Sequence, residues 1–450
     1  MVMKRAHGEE QPYIPLGIFK LRIPFVHFGW AWPEAVQGAF LVAVPMGSIA
    51  VHQEMLGVPF ELAILMVALN GFLYILHPMF GDPVFPGWIT PAIPIVTAWG
   101  ATFPAGPARI QAIVALQYIM AVVFLFMGIT GLANKIVSFV PNSMRAGIIF
   151  GAGVSAMISV IDPKTGRMVG KEWSVILGTL VCYLTMNSWK FAVAKDKNAF
   201  LKQLSKFGML PGMIVAFIVG ILFKEVPVPQ LQMGLIPFHR FPEIIKGYTW
   251  MAVGFPPIST FISALPVAFA AYIIAFGDFV LAEVVTKDAD AYRDDEIIDF
   301  NGNRSNIISG FRNALLATVA PYAPLSGPLW AGGTIAIAER YKQGREGMDT
   351  IFAGDSSYIL AMWIAGCLMP VVTLFQPILP LGLSLTLTVQ GFACCYIGME
   401  MVQSKEERGC CGITGLVLAS RGAFWGLVCG ILLHVLIGVR DEFKAKKAAA

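Results

Sequence analysis

Apolar runs separated by short polar loops recur along the chain. Many are roughly 17–25 residues long, the helical length that crosses a bilayer core. Up to fourteen spans can be read. The first seven lie near 31–51, 60–80, 88–103, 107–132, 141–161, 172–190 and 208–223. The second seven lie near 258–285, 305–321, 327–341, 356–376, 378–402, 410–420 and 422–439. Three of them (88–103, 327–341 and 410–420) are short, so hydropathy alone gives eleven or twelve. The segment Lys224–Pro257, with Pro227, Pro229, Pro237 and Pro256, reads as an interfacial connector between two halves, 31–223 and 258–439.

Two apolar segments are broken. One is Gly87-Trp88-Ile89-Thr90-Pro91-Ala92-Ile93-Pro94; the other is Pro324-Leu325-Ser326-Gly327-Pro328-Leu329-Trp330 followed by Ala331-Gly332-Gly333. Both are too rich in Pro and Gly for an ordinary membrane helix. Unwound backbone at membrane depth is tolerated only where it is buried or lines a cavity. Interrupted spans at matching positions of two halves point to a transporter's substrate site. A second pair of anchors, Pro141 and Pro377, opens two further spans at nearly the same offset as Pro91 and Pro328, which supports an internal repeat.

Composition agrees. Hydrophobic residues make up 56% and charged residues 13%, with mean hydropathy +0.69, too apolar for a soluble domain. No cleavable signal peptide is read; the first span serves as insertion signal. Net charge is +4, and the basic residues sit in loops, so they report topology rather than a nucleic-acid partner. With both termini cytoplasmic, that side receives Lys4, Arg5, Lys20, Arg22, the lysines from 190 to 206, Arg340, Lys342, Arg345, Lys405, Arg408 and the tail 440–450. Lys164, Arg167 and Lys171 disobey and fall outside. Seven spans per half invert the second half relative to the first. The seven Cys lack metal-ligand spacing and read as packing residues.

Asp278 is the sharpest chemical candidate. It lies deep in an apolar span, where an acid costs on the order of 3 kcal/mol on insertion scales and by default carries a proton, a cation or a substrate contact. The broken spans supply the rest of a site. Helices starting after Thr90 and after Ser326 would meet near the midplane, each presenting free N–H groups and a positive dipole end to an anion. Thr90 and Ser326 can cap or touch substrate, Pro91 fits a first helical turn, and Ala92 and Gly327 complete the two breaks. Trp88 and Trp330 flank them and could stack on a planar solute or serve as interface anchors. Gln37 is a further hydrogen-bonding candidate. His52 and His77 read as ordinary hydrogen-bonded residues near span ends. The run Asp288, Asp290, Asp294, Asp295, Glu296 and Asp299 reads as a solvated cytoplasmic face.

Asp278 with the following Phe279-Val280-Leu281-Ala282-Glu283 resembles the eighth span of sulfate-permease-type anion transporters. Asn306, Gly310 and Asn313, then Pro324 to Gly327, resemble their ninth span and the entry to their tenth. Pro141 to Gly153 is similar to their fifth span. Gln37 resembles instead a residue of the nucleobase/ascorbate permeases, which share the fold. The resemblance implies an all-α polytopic protein: about fourteen spans in two inverted repeats of seven, divided into core and gate domains, with broken third and tenth spans. It also implies a homodimer. Two departures stand out. Leu329-Trp330-Ala331-Gly332-Gly333 lacks the acid that nucleobase permeases carry there. Only 440–450 follows the last span, where sulfate permeases usually carry a regulatory domain.

The expected function is a secondary active transporter in a plasma membrane, as in a bacterial inner membrane. It would move a small anion (sulfate, bicarbonate or a small organic acid) by alternating access, coupled to H+ or Na+ and with no other cofactor. A proton-coupled nucleobase symporter is the alternative, and an uncoupled anion channel a third class. No acid–base or nucleophile constellation in the spans suggests an enzyme.

Overall fold

The computed structural model describes residues 3–133, 135, 140–205 and 209–437, which are mostly helical. Lys206 and the expected tail 440–450 lie outside the described residues. The chain opens with a hairpin, β1 (Ile14–Leu16) and β2 (Phe19–Leu21). Three helices stand where one first span was expected: α1 (Trp32–Phe40), α2 (Ala43–Met46) and α3 (Ser48–Leu56). The break fits Pro45, which cannot donate to the carbonyl four residues back. Next come α4 (Phe60–Leu73), α5 (Leu76–Met79), strand β3 (Gly87–Trp88), α6 (Ile93–Gly100), α7 (Pro107–Thr130) and α8 (Asn142–Ile161). The first half ends with α9 (Glu172–Asn187), the short α10 (Trp189–Lys197) and α11 (Ala199–Ser205), and α12 (Leu210–Leu222).

The connector holds α13 (Phe241–Tyr248) and α14 (Trp250–Val253). The second half holds α15 (Ile258–Tyr292), α16 (Gly302–Val319), strand β4 (Ser326–Gly327), α17 (Ala331–Tyr341), α18 (Ile351–Gly366), α19 (Met369–Phe375), α20 (Leu379–Glu400), α21 (Lys405–Arg421) and α22 (Ala423–Ile437). Local chemistry sets these ends. Pro107 opens α7 and Gly131, at φ 66°, closes it; a Ser404–Glu407 capping box opens α21.

Six helical segments among the described residues are long and apolar enough to cross a membrane: Trp32–Leu56, Phe60–Met79, Pro107–Thr130, Asn142–Ile161, Ile258–Tyr292 and Met369–Glu400. Others are helical but too short or too polar to meet that criterion. Helix α16 is the clearest case, because Arg304, Asn306, Arg312 and Asn313 lower its hydropathy while being buried among neighbouring helices.

The helices pack as two groups. In one, α7 lies against α16 and α15, α1 against α18, α15 against α17, and α18 against α4. In the other, α8 lies against α20 and α21, α9 against α12 and α20, and α21 against α22. Small residues allow these approaches. A Cβ on Gly38 of α1 would stand 2.3 Å from the Tyr358 carbonyl oxygen of α18, and one on Gly151 of α8 would stand 2.7 Å from that of Gly415 in α21. The groups meet through α20 against α2 and α3, α6 against α8, and α22 against α15.

Two features correct the sequence reading. Helix α15 continues to Tyr292, so Asp288 and Asp290 are helical. The acidic run is also no merely solvated face. Asp295 pairs with Arg5 and, at 2.7 Å, with Arg293; Glu296 is buried and accepts from Thr350; Asp299 meets Lys20 at 2.7 Å and Arg304 at 3.1 Å. These acids clasp the N-terminal segment onto the first group. Just past β2, the Arg22 N–H donates to the Met79 carbonyl of α5 at 2.7 Å, and the Arg22 guanidinium stacks on Phe352 at 4.0 Å. The Arg293 guanidinium holds the Asp295 carboxyl well below the usual range, burial pushes that of Glu296 up, and burial lowers Arg22 to about 10. Arg167, from the loop that disobeyed the charge rule, pairs with Glu54 at 2.9 Å.

Candidate functional site

Strands β3 and β4 pair antiparallel, with Gly87 opposite Gly327 and Trp88 opposite Ser326. Each is followed by helix: a 3-10 turn, Thr90–Ala92, leads into α6, and α17 starts directly after Trp330. The pair is fastened at its ends. The Ile89 N–H donates to the Leu325 carbonyl at 3.1 Å, and the Trp330 N–H to that of Phe85 at 2.7 Å. Leu325 takes φ 60°, a left-handed conformation that costs a branched residue energy and here turns the chain into β4.

Beneath the strands lies Arg312 of α16, fully buried. Its guanidinium donates to the carbonyls of Gly327 at 2.9 Å and Gly87 at 3.1 Å, and to Asn70 Oδ1 at 3.2 Å. It also meets His77 Nε2 at 3.2 Å and lies 4.8 Å from the Tyr74 ring centre. Asn313 adds a reciprocal pair with Ser326: its amide donates to the Ser326 carbonyl at 2.8 Å, and its oxygen accepts the Ser326 N–H at 3.0 Å. The strand carbonyls and Asn70 thus spend their acceptors on buried donors, while the first-turn N–H groups of α17 have no intrahelical partner.

Above the strands is a cavity with about 100 Å³ open to water-sized solutes. Thr90, Pro91, Trp330 and Asp278 line it, with Val44, Pro45, Tyr74, Gly87, Trp88, Leu329 and Ala331. Met209, Thr386 and Gln390 close it from the second helix group. The cavity therefore lies between the two groups. Among the described residues lining it, none is Lys, Arg or His. Asp278 makes no hydrogen bond or ion pair with the described residues, so no fixed basic partner neutralises it.

The remaining candidates sit elsewhere. Ser326 and Gly327 form β4 and are buried; the Ser326 hydroxyl lies 3.1 Å from Asn70 Oδ1. Ala92 ends the 3-10 turn and is buried. Gln37 is half-buried on α1, which packs against α18, and is not among the lining residues. His52 is buried and bonds the Ser48 carbonyl at 2.7 Å; His77 bonds Asp82 at 2.7 Å. Arg312, Tyr74, Thr386 and Gln390 were missed. A charge inside the apolar ninth span and an amide inside the run from Leu379 were the signals.

Two helical groups thus meet at a cavity, with the paired strands on its lining. Family sequence models and curated protein sequences return no match. Solved structures do. The chain is similar to the transmembrane domain of a cyanobacterial bicarbonate transporter, BicA, at TM-score 0.52 and 12% identity, over 88% of this chain and 97% of that one. It is similar to SLC26A9 at TM-score 0.52 and 12% identity, over 90% of this chain and 65% of that one. It is also similar to the murine Slc26a9 anion transporter in the inward-facing state, at TM-score 0.51 and 11% identity, over 91% and 68%. The fold is thus the one these transporters share, the fold expected from the sulfate-permease resemblance.

Proposed function

We propose that this protein is a secondary active transporter that carries a small anion across a membrane by alternating access. The observation that carries the reading is the cavity between the two helix groups, lined by the paired-strand ends and the unpartnered Asp278. Helix N-termini offer N–H donors and a positive dipole end to an anion without a basic side chain. The names of the structural neighbours, a bicarbonate transporter and an anion transporter, agree with this substrate class. The first helix group is the core and the second the gate, and the core moves against the gate around the bound solute.

The internal repeat is supported by packing. Exchanging the halves turns α7 against α15 into α18 against α1, and α9 against α12 into α21 against α22; both members of each pair occur. Under the same exchange the two broken segments swap, and they are the ones that pair. The chain is integral to a membrane, with both termini cytoplasmic, a bacterial inner membrane as its setting and a homodimer as its assembly.

Asp278 gives the coupling its reason. An anion about 4 Å from an ionised carboxylate meets a repulsion of roughly 4 kcal/mol at an effective dielectric constant near 20. Binding therefore requires a proton or a sodium ion on Asp278. The aromatic lining (Tyr74, Trp88 and Trp330) favours a second reading, a proton-coupled nucleobase symporter, in which Asp278 binds the base and the rings stack on it.

The test is thermal stabilisation of the detergent-purified protein by sulfate, bicarbonate, small carboxylates, aromatic acids, sulfonates, uracil, xanthine and ascorbate, since a ligand of the folded state raises apparent stability. Stabilisation by an anion, lost in Thr90→Val, supports the anion site. Stabilisation by a nucleobase alone, lost in Asp278→Ala, replaces it with the second reading.

A further inference from the structure

A second acid lies buried in the core group, away from the cavity lining. Asp355, in the second turn of α18, is 1% exposed, and neither carboxylate oxygen has a hydrogen-bond partner. Helix α18 packs against α5, which ends three residues before Asp82, and the two acid charges repel. Asp82 is itself fully buried; Oδ2 meets His77 Nδ1 at 2.7 Å, while Oδ1 is unpartnered. The turn that folds Asp82 back onto His77 depends on Gly81, at φ 92°. There the Asp82 N–H donates to the His77 carbonyl at 2.8 Å. On its other side, His77 Nε2 meets Arg312, which holds the carbonyls of β3 and β4.

Charge balance decides what this cluster contains. Arg312 carries one positive charge and Asp82 one negative charge, with a neutral His77 between them, so that chain is already balanced. An ionised Asp355 would add a negative charge with no donor to receive it, in a site closed to water. The other charged groups around α18 are engaged. Glu34 of α1 pairs with Arg340 of α17 at 3.1 Å; Arg22 stacks on Phe352; Glu296 accepts from Thr350. From α4, Tyr74 faces Arg312. None of them compensates Asp355. A proton does so with no further ligand. A metal ion would need more oxygen or nitrogen donors than two carboxylates offer, and no group of three or more His, Cys, Asp or Glu among the described residues could hold one.

We propose that Asp355 and Asp82 form a proton-binding site, separate from Asp278, connected through His77 and Arg312 to the paired strands beneath the cavity. The bound species is H+, held on Asp355 beside the charge of Asp82. Loss of that proton leaves the cluster one negative charge in excess. His77 is then the group placed to take a proton, bringing a second positive charge against Arg312 and its hold on Gly87 and Gly327. This site stands whether the transported solute is an anion or a base, because no solute enters its charge balance.

The experiment is infrared difference spectroscopy of the full-length protein, titrated with pH and without any solute. It is done in an Asp278→Asn background, so that the cavity acid is silent. The expected result is a protonated-carboxyl band at neutral pH that is absent after Asp355→Asn and disappears at high pH when Asp355 is intact. Adding Asp82→Asn should move that disappearance to lower pH, because the charge opposing ionisation of Asp355 has gone. A band unaffected by Asp355→Asn overturns the proposal, as does a band removed at fixed pH by sodium chloride but not by choline chloride. If Asp355→Asn does not fold, Asp82→Asn alone decides: an unmoved titration overturns the site.

Discussion

Removing Arg312 should unfasten the paired strands. Its guanidinium makes two charge-assisted bonds to backbone carbonyls, at Gly87 and Gly327, and a third to Asn70. Bonds to a charged group contribute about 1.5–3 kcal/mol each, so the two to the strands alone represent about 3–6 kcal/mol. In Arg312→Met the guanidinium no longer has to be stripped of water, which offsets part of the loss. Asp82 and His77 are, however, left buried without their positive neighbour, and deleting one partner of a buried charged network typically costs about 3–5 kcal/mol. We therefore expect about 3–5 kcal/mol of destabilisation. At about 2.1 cal/mol/K per residue, 450 residues convert this to roughly 3–5 °C of apparent Tm. The assay is thermal unfolding of the purified protein, followed by intrinsic tryptophan fluorescence. Arg312→Lys should lose nearly as much, since one ammonium cannot serve carbonyls on both strands with the fork geometry of arginine. An Arg312→Met protein that melts with the parent would refute the role assigned to this residue.

Two further outcomes test the packing and the clasp. Gly38→Ala places a Cβ where only 2.3 Å separates it from the Tyr358 carbonyl oxygen, so α1 must move off α18. A loss of about 1–3 kcal/mol is expected by thermal unfolding, with Gly409→Ala, which meets nothing within 4 Å, as the unaffected control. The N-terminal clasp should resist acid. Asp295 is held below the ordinary carboxylate range by Arg293, so its contribution is fully present above about pH 3.9 and fades only as pH falls through its lower folded value. Protection of residues 3–30 from an acid-tolerant protease should persist at about pH 4 and fail at higher pH in Arg293→Gln than in the parent; identical profiles would count against the clasp.

Much of the fold was legible because membrane helices announce themselves by length and apolarity. What hydropathy could not supply was the interior. Helix α16 is poor in hydropathy because it faces other helices, where Arg312 and Asn313 are satisfied by strand backbone, so its polar residues look like defects in a lipid-facing reading. Pro and Gly mark 87–94 and 324–333 as irregular in the sequence, yet the antiparallel pairing of Gly87 and Trp88 with Gly327 and Ser326 was not legible, since two residues per strand carry no alternation to read. Asp278 stood out because it is one acid in an apolar run. Asp355 was hidden by its place near the start of α18, beside Ser356 and Ser357, where an acid reads as part of a helix end. The acidic run from Asp288 to Asp299 misled for the opposite reason: charge density suggested solvent, whereas Arg5, Lys20, Arg293 and Arg304 had been placed to meet it. Gln390 and Thr386 lie far along the chain from Asp278 and reach the cavity only because α20 crosses it from the second group. A cavity that lies between two helix groups draws its lining from distant stretches of the sequence. Its backbone part can be read from Pro and Gly, and its side-chain part emerges only once the two groups are set side by side.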